Sequence, residues 1–185
     1  MSIKNIKYYT LLLTTGFLFA SCSYNDNPVP VNEEEIITTI NVSMVPNGGG
    51  DTITLQSRDL DGDGPNAPVV TISGNFVSNT VYGGAIVLLN ETEAPAENIT
   101  DELEEEDEEH QFFYTVSGGL DATTDYANFD DDGNPLGTLF TLSTGAASTG
   151  NLGFTLRHEP TKPNTGLTDA GGETDLVVTF SVTID

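Results

Sequence analysis

Thiol chemistry is nearly absent from this chain, which has one cysteine, Cys22, in 185 residues. It can close no internal disulfide, and once Cys22 is modified no thiol nucleophile or redox pair is left. Tryptophan is missing too, which removes the strongest stacking platform for a sugar. Positive charge is scarce: 5 Lys and Arg face 29 Asp and Glu, a formal net charge of -24. So few cations cannot assemble a basic patch, which excludes nucleic acid and anionic lipid surfaces as partners. The sequence has no Gly-x-Ser-x-Gly elbow, no phosphate-cradling Gly loop before a helix, no His-Glu-x-x-His and no dinucleotide fingerprint. The residues thus point to no enzyme and no organic cofactor. Carboxylates are too abundant for any pair of them to single out a glycosidase.

The amino terminus has its own pattern. Lys4 and Lys7 precede an apolar stretch from Tyr8 to Ala20, the layout of a secretory signal and short for a membrane span. It runs into Leu18-Phe19-Ala20-Ser21-Cys22, which resembles a bacterial lipobox. The expectation is a lipoprotein signal over 1–21, a thioether lipid on Cys22, a tether over 22–34 and a single β domain over 35–185. An uncleaved anchor, or a free or intermolecularly paired thiol, is the competing reading. Pro28 and Pro30 stand in the tether, which can reach up to roughly 40 Å from the lipid head groups. Asp26, close behind Cys22, is reminiscent of the acidic export signal of Bacteroidota surface lipoproteins, favouring the cell surface over the periplasmic face. Loss of the signal leaves Arg58, Arg157 and Lys162 against all 29 carboxylates.

Beyond the tether the apolar residues recur at period two. Strands are expected at Ile36–Met44, Thr52–Gln56, Val69–Ile72, Thr80–Leu89, His110–Val116, Ala122–Phe129, Thr138–Leu142, Leu152–His158 and Leu176–Ile184. Gly83 and Gly84 mark a bulge or a close approach within the fourth. About nine strands separated by Gly, Asn, Asp and Pro clusters argue for an all-β, antiparallel β-sandwich, Ig-like or similar, with an open barrel as the alternative. The one helical pattern runs from Asn98, a candidate N-cap, to about Asp107, short and acidic, with a loop as the other reading. From Glu91 to Glu109 the carboxylates are so dense that a helix would set Asp101/Glu105 and Glu104/Glu108 one turn apart, a like-charge cost of about 0.2–0.5 kcal/mol per pair. The segment is either a solvated charged loop or a surface that collects cations or a basic partner.

The runs at 88–102, Leu-Leu-Asn-Glu-Thr-Glu-Ala-Pro-Ala-Glu-Asn-Ile-Thr-Asp-Glu, at 108–114, Glu-Glu-His-Gln-Phe-Phe-Tyr, at 156–160, Leu-Arg-His-Glu-Pro, and at 170–175, Ala-Gly-Gly-Glu-Thr-Asp, resemble small acidic lipoproteins of marine and soil Bacteroidota. The resemblance implies an accessory lipoprotein that captures a ligand or cation beside a TonB-dependent outer-membrane receptor, and it supplies no catalytic residues; a structural or adhesive surface β-module, its loops braced by calcium, is the competing reading. Some such proteins are labelled as type 1 periplasmic-binding-fold proteins. That fold needs parallel strands alternating with helices, a pattern this sequence lacks.

Two kinds of metal site are written in the residues. Asp59, Asp61 and Asp63 before Gly64, and Asn128, Asp130 and Asp132 before Gly133, place oxygen ligands at alternate positions ahead of a glycine bend, as in calcium loops. Neither has the Glu at position twelve of an EF-hand, and Asp, Asn and Gly also make good turns. The second kind is a transition-metal site. His110 shares strand parity with Phe112 and Tyr114, and His158 with Leu156 and Phe154, so each imidazole is expected on the core side of a strand end. If those strands pair antiparallel, the two imidazoles converge, with Glu109 and Glu159 beside them in sequence as carboxylate ligands. A structural, hydrogen-bonded histidine is the competing reading for each.

Overall fold

The computed structural model describes residues 35–62 and 64–185. The expected signal, lipidation at Cys22 and tether, and Asp63, lie outside the described residues. Within them the period-two segments are strands: β1 (Thr39–Pro46), β2 (Ile53–Arg58), β3 (Val69–Ile72), β4 (Val81–Asn90), β5 (Glu97–Asn98), β6 (His110–Ser117), β7 (Ala122–Tyr126), β8 (Leu139–Thr144), β9 (Ser148–His158) and β10 (Glu173–Ile184). Two short helices accompany them, α1 (Ile99–Glu105) and α2 (Leu167–Ala170).

The strands form two antiparallel sheets and close no barrel. One sheet runs β3-β2-β1-β4-β8-β7, with β5 added to β4, and the other runs β10-β9-β6. Alternation drives this arrangement, because a strand with one apolar face must lay that face on another layer. From the larger sheet Ile40, Val42 and Met44 of β1, Ile86 and Leu88 of β4 and Phe140 and Leu142 of β8 are buried. From the smaller sheet they meet Phe112 of β6, Leu152, Phe154 and Leu156 of β9, and Phe180 of β10. Phe140 and Phe154 join the layers edge to face, with centroids 5.7 Å apart.

Gly83 and Gly84 mark a close approach and no bulge, since the pairing of β4 with β1 runs unbroken from Tyr82 to Leu89. A Cβ at Gly84 would lie 2.5 Å from the Phe140 ring. The missing side chain makes room for an aromatic that bridges the sheets. Gly84→Ala is therefore expected to destabilise the fold by about 1–3 kcal/mol by overpacking, read as a lower urea midpoint at unchanged slope.

Helix α1 begins after Asn98 as expected, but the Asn98 side chain makes no capping hydrogen bond. What holds the helix is burial of Ile99 and Leu103, and Thr100 Oγ1, which accepts the Leu88 N–H at 2.7 Å. The acids between Asp101 and Glu105 stay on its exposed side. Near the entry to β1, Arg58 grips Glu91 with two parallel hydrogen bonds of 2.8 and 2.7 Å, and Thr39 adds a third of 2.6 Å. That grip holds the Glu91 carboxyl down at about 2. Its contribution to stability is present above the ordinary glutamate range and is lost as pH falls from there through about 2. In a carbon-detected NMR titration Glu91 should report that low value, and in Arg58→Ala it should move back towards an ordinary glutamate.

Candidate metal centre

Strands β6 and β9 are neighbours, although a β7–β8 hairpin belonging to the other sheet separates them in sequence. Their antiparallel register sets His110 directly opposite His158. Cross-strand partners on one face lie close enough for their side chains to touch, and the imidazole rings stack at 4.6 Å with an interplanar angle of 23°. Both face the core side, as their parity requires, and the His110 side chain is fully buried.

Two carboxylates complete a cluster: Glu35, on the residues leading into β1, and Asp175, near the start of β10. One ligand atom from each of Glu35, His110, His158 and Asp175 lies within 4.8 Å of all the others. Asp175 gets there by a bulge. Thr174 pairs with Arg157 and Leu176 with Leu156, so Asp175 is the extra residue. In an unbroken strand it would sit on the wet face, and the bulge re-aims it. Gly172, with a φ of 71°, fixes the approach of β10, because a Cβ there would meet the His158 carbonyl oxygen at 2.3 Å. The cluster thus takes a side chain from every strand of the smaller sheet and one from the lead-in to the larger.

Its hydrogen bonding is incomplete in a particular way. His110 Nδ1–H donates to the Glu106 carbonyl at 3.2 Å, which leaves Nε2 facing Glu35 Oε1 at 3.0 Å. A backbone carbonyl holding one ring N–H while the other nitrogen faces the site is how metal-binding imidazoles are oriented. Among the described residues four buried side-chain polar atoms lack a partner, and three of them, Glu35 Oε2, His158 Nδ1 and Asp175 Oδ2, belong to this cluster. Buried groups without partners are costly, and a cation or a water at the cluster would relieve that cost.

The members of the cluster shift one another's protonation. The His110 hydrogen bond holds the Glu35 carboxyl below its usual range against the effect of burial. Burial would lower His110, but the Glu35 carboxylate outweighs it and raises the imidazole. Burial, with Glu35 close by, pushes Asp175 up to about 6. With a divalent cation in place of the His110 proton, two carboxylates and two neutral imidazoles would balance its charge. Imidazole donors favour zinc and its neighbours over calcium, which takes oxygen ligands.

The expected ligands Glu109 and Glu159 are placed differently from the expectation. Both are exposed and stand just outside the strands, Glu109 before β6 and Glu159 after β9. They meet His158 alone: Glu109 Oε2 lies 3.9 Å from its Nε2, and Glu109, His158 and Glu159 form a separate cluster within 4.8 Å. His110 belongs with Glu35 and Asp175. Sequence adjacency thus found carboxylates that reach His158 from outside, and it missed Glu35 and Asp175, which complete the buried set.

The second aspartate-rich turn is closed by protein groups. Asn128 Oδ1 accepts the N–H groups of Gly137 and Leu139, at 3.0 and 2.9 Å. Asp130 Oδ1 accepts the Asn134 N–H at 2.7 Å, and Asp130 Oδ2 accepts from Lys162 Nζ at 3.1 Å. Asp132 is exposed. An ammonium group thus sits where calcium was expected, with side-chain exposures of 6% for Lys162 and 1% for Asp130. In the first turn Asp61 accepts from the Asn66 side-chain amide at 2.7 Å and Asp59 from the Asp61 N–H at 3.3 Å. This is the chemistry of a turn that side chains close.

No helix among the described residues is long and apolar enough to cross a membrane. No protein-family model, curated protein or solved structure matches this chain.

Proposed function

We propose that this protein is a lipid-anchored outer-membrane module, exposed on the cell surface, that captures a divalent transition-metal cation beside a TonB-dependent receptor. The observation that carries the cation part is the buried meeting of Glu35, His110, His158 and Asp175, with three unpartnered polar atoms among them. Zinc suits two nitrogen and two oxygen donors in a tetrahedral arrangement. The surrounding excess of carboxylate raises the local concentration of cations and speeds their arrival. Anchor and receptor rest on the lipobox-like sequence ending at Cys22 and on the resemblance to acidic Bacteroidota lipoproteins.

Equilibrium dialysis against zinc chloride, with elemental analysis of the protein, tests the reading. The wild type should retain one tightly held zinc per chain that excess calcium does not displace, and Asp175→Asn should retain none. A wild type that keeps no zinc after dialysis, or one that exchanges it freely for calcium, contradicts the reading. The anchor has a separate test. The native protein should leave the outer-membrane fraction only with detergent, and Cys22→Ala should leave it without.

A further inference from the structure

The buried cluster has a second cluster at its door. His158 belongs to both: it meets Glu35, His110 and Asp175 on the inside, and Glu109 and Glu159 on the outside. Its side chain is 6% exposed, and among the described residues neither ring nitrogen makes a hydrogen bond. Nδ1 is buried without a partner, while Nε2 lies 3.9 Å from Glu109 Oε2, too far for a hydrogen bond and close enough for both atoms to reach one ion. A neutral imidazole has a lone pair on one nitrogen and a hydrogen on the other, so His158, with carboxylates on two sides, ligates through one nitrogen at a time, or through both once the hydrogen is lost.

The chain spends backbone strain on bringing the outer carboxylates together. Glu159 follows His158 with a φ of 47°, a left-handed conformation that a glutamate rarely adopts. Its N–H donates to the Glu109 carbonyl at 2.6 Å, which draws the end of β9 to the residue before β6. Glu109 and Glu159 are exposed, whereas the other three members of the inner cluster, Glu35, His110 and Asp175, are wholly or largely covered. A cation arriving from solvent reaches the outer pair first.

We infer that Glu109, His158 and Glu159 form a second, outer position for a divalent transition-metal cation, through which the buried position is loaded. The inference rests on the metal reading of the buried cluster. Two carboxylates and an imidazole at the surface hold the ion more weakly than the buried set, because solvent competes for it. The ion then exchanges its outer carboxylates for Glu35, His110 and Asp175 while His158 serves both positions. No redox step is involved; when both positions are filled His158 bridges them as an imidazolate, and its N–H proton passes to solvent.

The test uses zinc chloride with the wild type and with the double variant Glu109→Gln/Glu159→Gln. Both replaced side chains are exposed, so folding is not at issue. Equilibrium dialysis should find two zinc ions per wild-type chain at high zinc, one tight and one weak, and the double variant should keep only the tight one. In stopped-flow mixing the double variant should load that tight position on the order of ten times more slowly, the scale of local electrostatic focusing. The control is Glu105→Gln/Glu108→Gln, which removes the same charge from exposed positions outside the cluster and should load at nearly the wild-type rate. Equal loading rates for wild type and the Glu109/Glu159 variant, or equal slowing by the control, overturn the inference while leaving the buried site standing. A wild type that binds no zinc overturns both.

Discussion

Lys162→Met is expected to cost the folded protein about 3–5 kcal/mol, a large fraction of the total stability of an ordinary domain. The lysine ammonium lies 3.1 Å from Asp130 Oδ2 and 2.6 Å from the Asp107 carbonyl. Both side chains of the pair are almost completely covered. Removing one partner strands the other: the Asp130 carboxylate would keep its desolvation cost and lose its counter-charge. Burial pushes the Asp130 carboxyl up, but the Asn134 N–H and the Lys162 ammonium outweigh it and hold the group below its usual range. The stability this adds is therefore present above the ordinary aspartate range and is lost as pH falls through the folded-state value. Urea unfolding at pH 7 reads the effect directly. The double variant Lys162→Met/Asp130→Asn should recover a substantial part of the loss. A single variant costing less than about 1 kcal/mol, the range of exposed pairs, would mean that water reaches the pair.

The second large effect belongs to the proposed metal. Anything that binds only the folded state stabilises it by mass action, about 4 kcal/mol at a thousandfold excess over Kd. Zinc at that level should raise Tm by about 10 °C, and EDTA should reverse the rise. Asp175→Asn separates this effect from simple damage to the fold. Burial and Glu35 raise the Asp175 carboxyl to about 6. Raised above its unfolded value, the group costs stability once pH exceeds the ordinary aspartate range, in full above about 6, and the cost is relieved as pH drops towards 4. Without metal at pH 7.5, Asp175→Asn should therefore be no less stable than the wild type, yet zinc should leave its Tm unchanged. A zinc-induced rise equal to that of the wild type would remove Asp175 from the ligand set.

Much of this fold was legible in the sequence, for a physical reason. A strand with one wet and one buried face must alternate, and nine such stretches are strands. The two-residue β5 and the four-residue α2 escaped because neither is long enough to show a period. The Lys162 partner of the turn at Asn128–Gly133 was not legible, because a carboxylate arranged to accept a calcium ion also accepts an ammonium group, and Lys162 lies 32 residues away from Asp130 in sequence. Part of the candidate metal centre was legible as well. Parity placed His110 and His158 on the core side, and only the pairing of β6 with β9 had to be supposed. The carboxylates were not. Glu35 is the last of three consecutive glutamates and carries no pattern, and Asp175 stands at a wet-face position that only a bulge reverses. Register, bulges and which strands become neighbours are set by the packing of whole sheets, and sequence periodicity does not encode them.

X-ray absorption at the zinc edge, on the protein loaded with one equivalent, tests the central claim most directly. The account predicts four ligands at about 2.0–2.2 Å, with the multiple-scattering signature of two imidazoles and the remainder light oxygen scatterers. A shell of about six oxygens with no imidazole signature would contradict it. The stacked histidines would then be no more than an imidazole–carboxylate bridge holding the two sheets together.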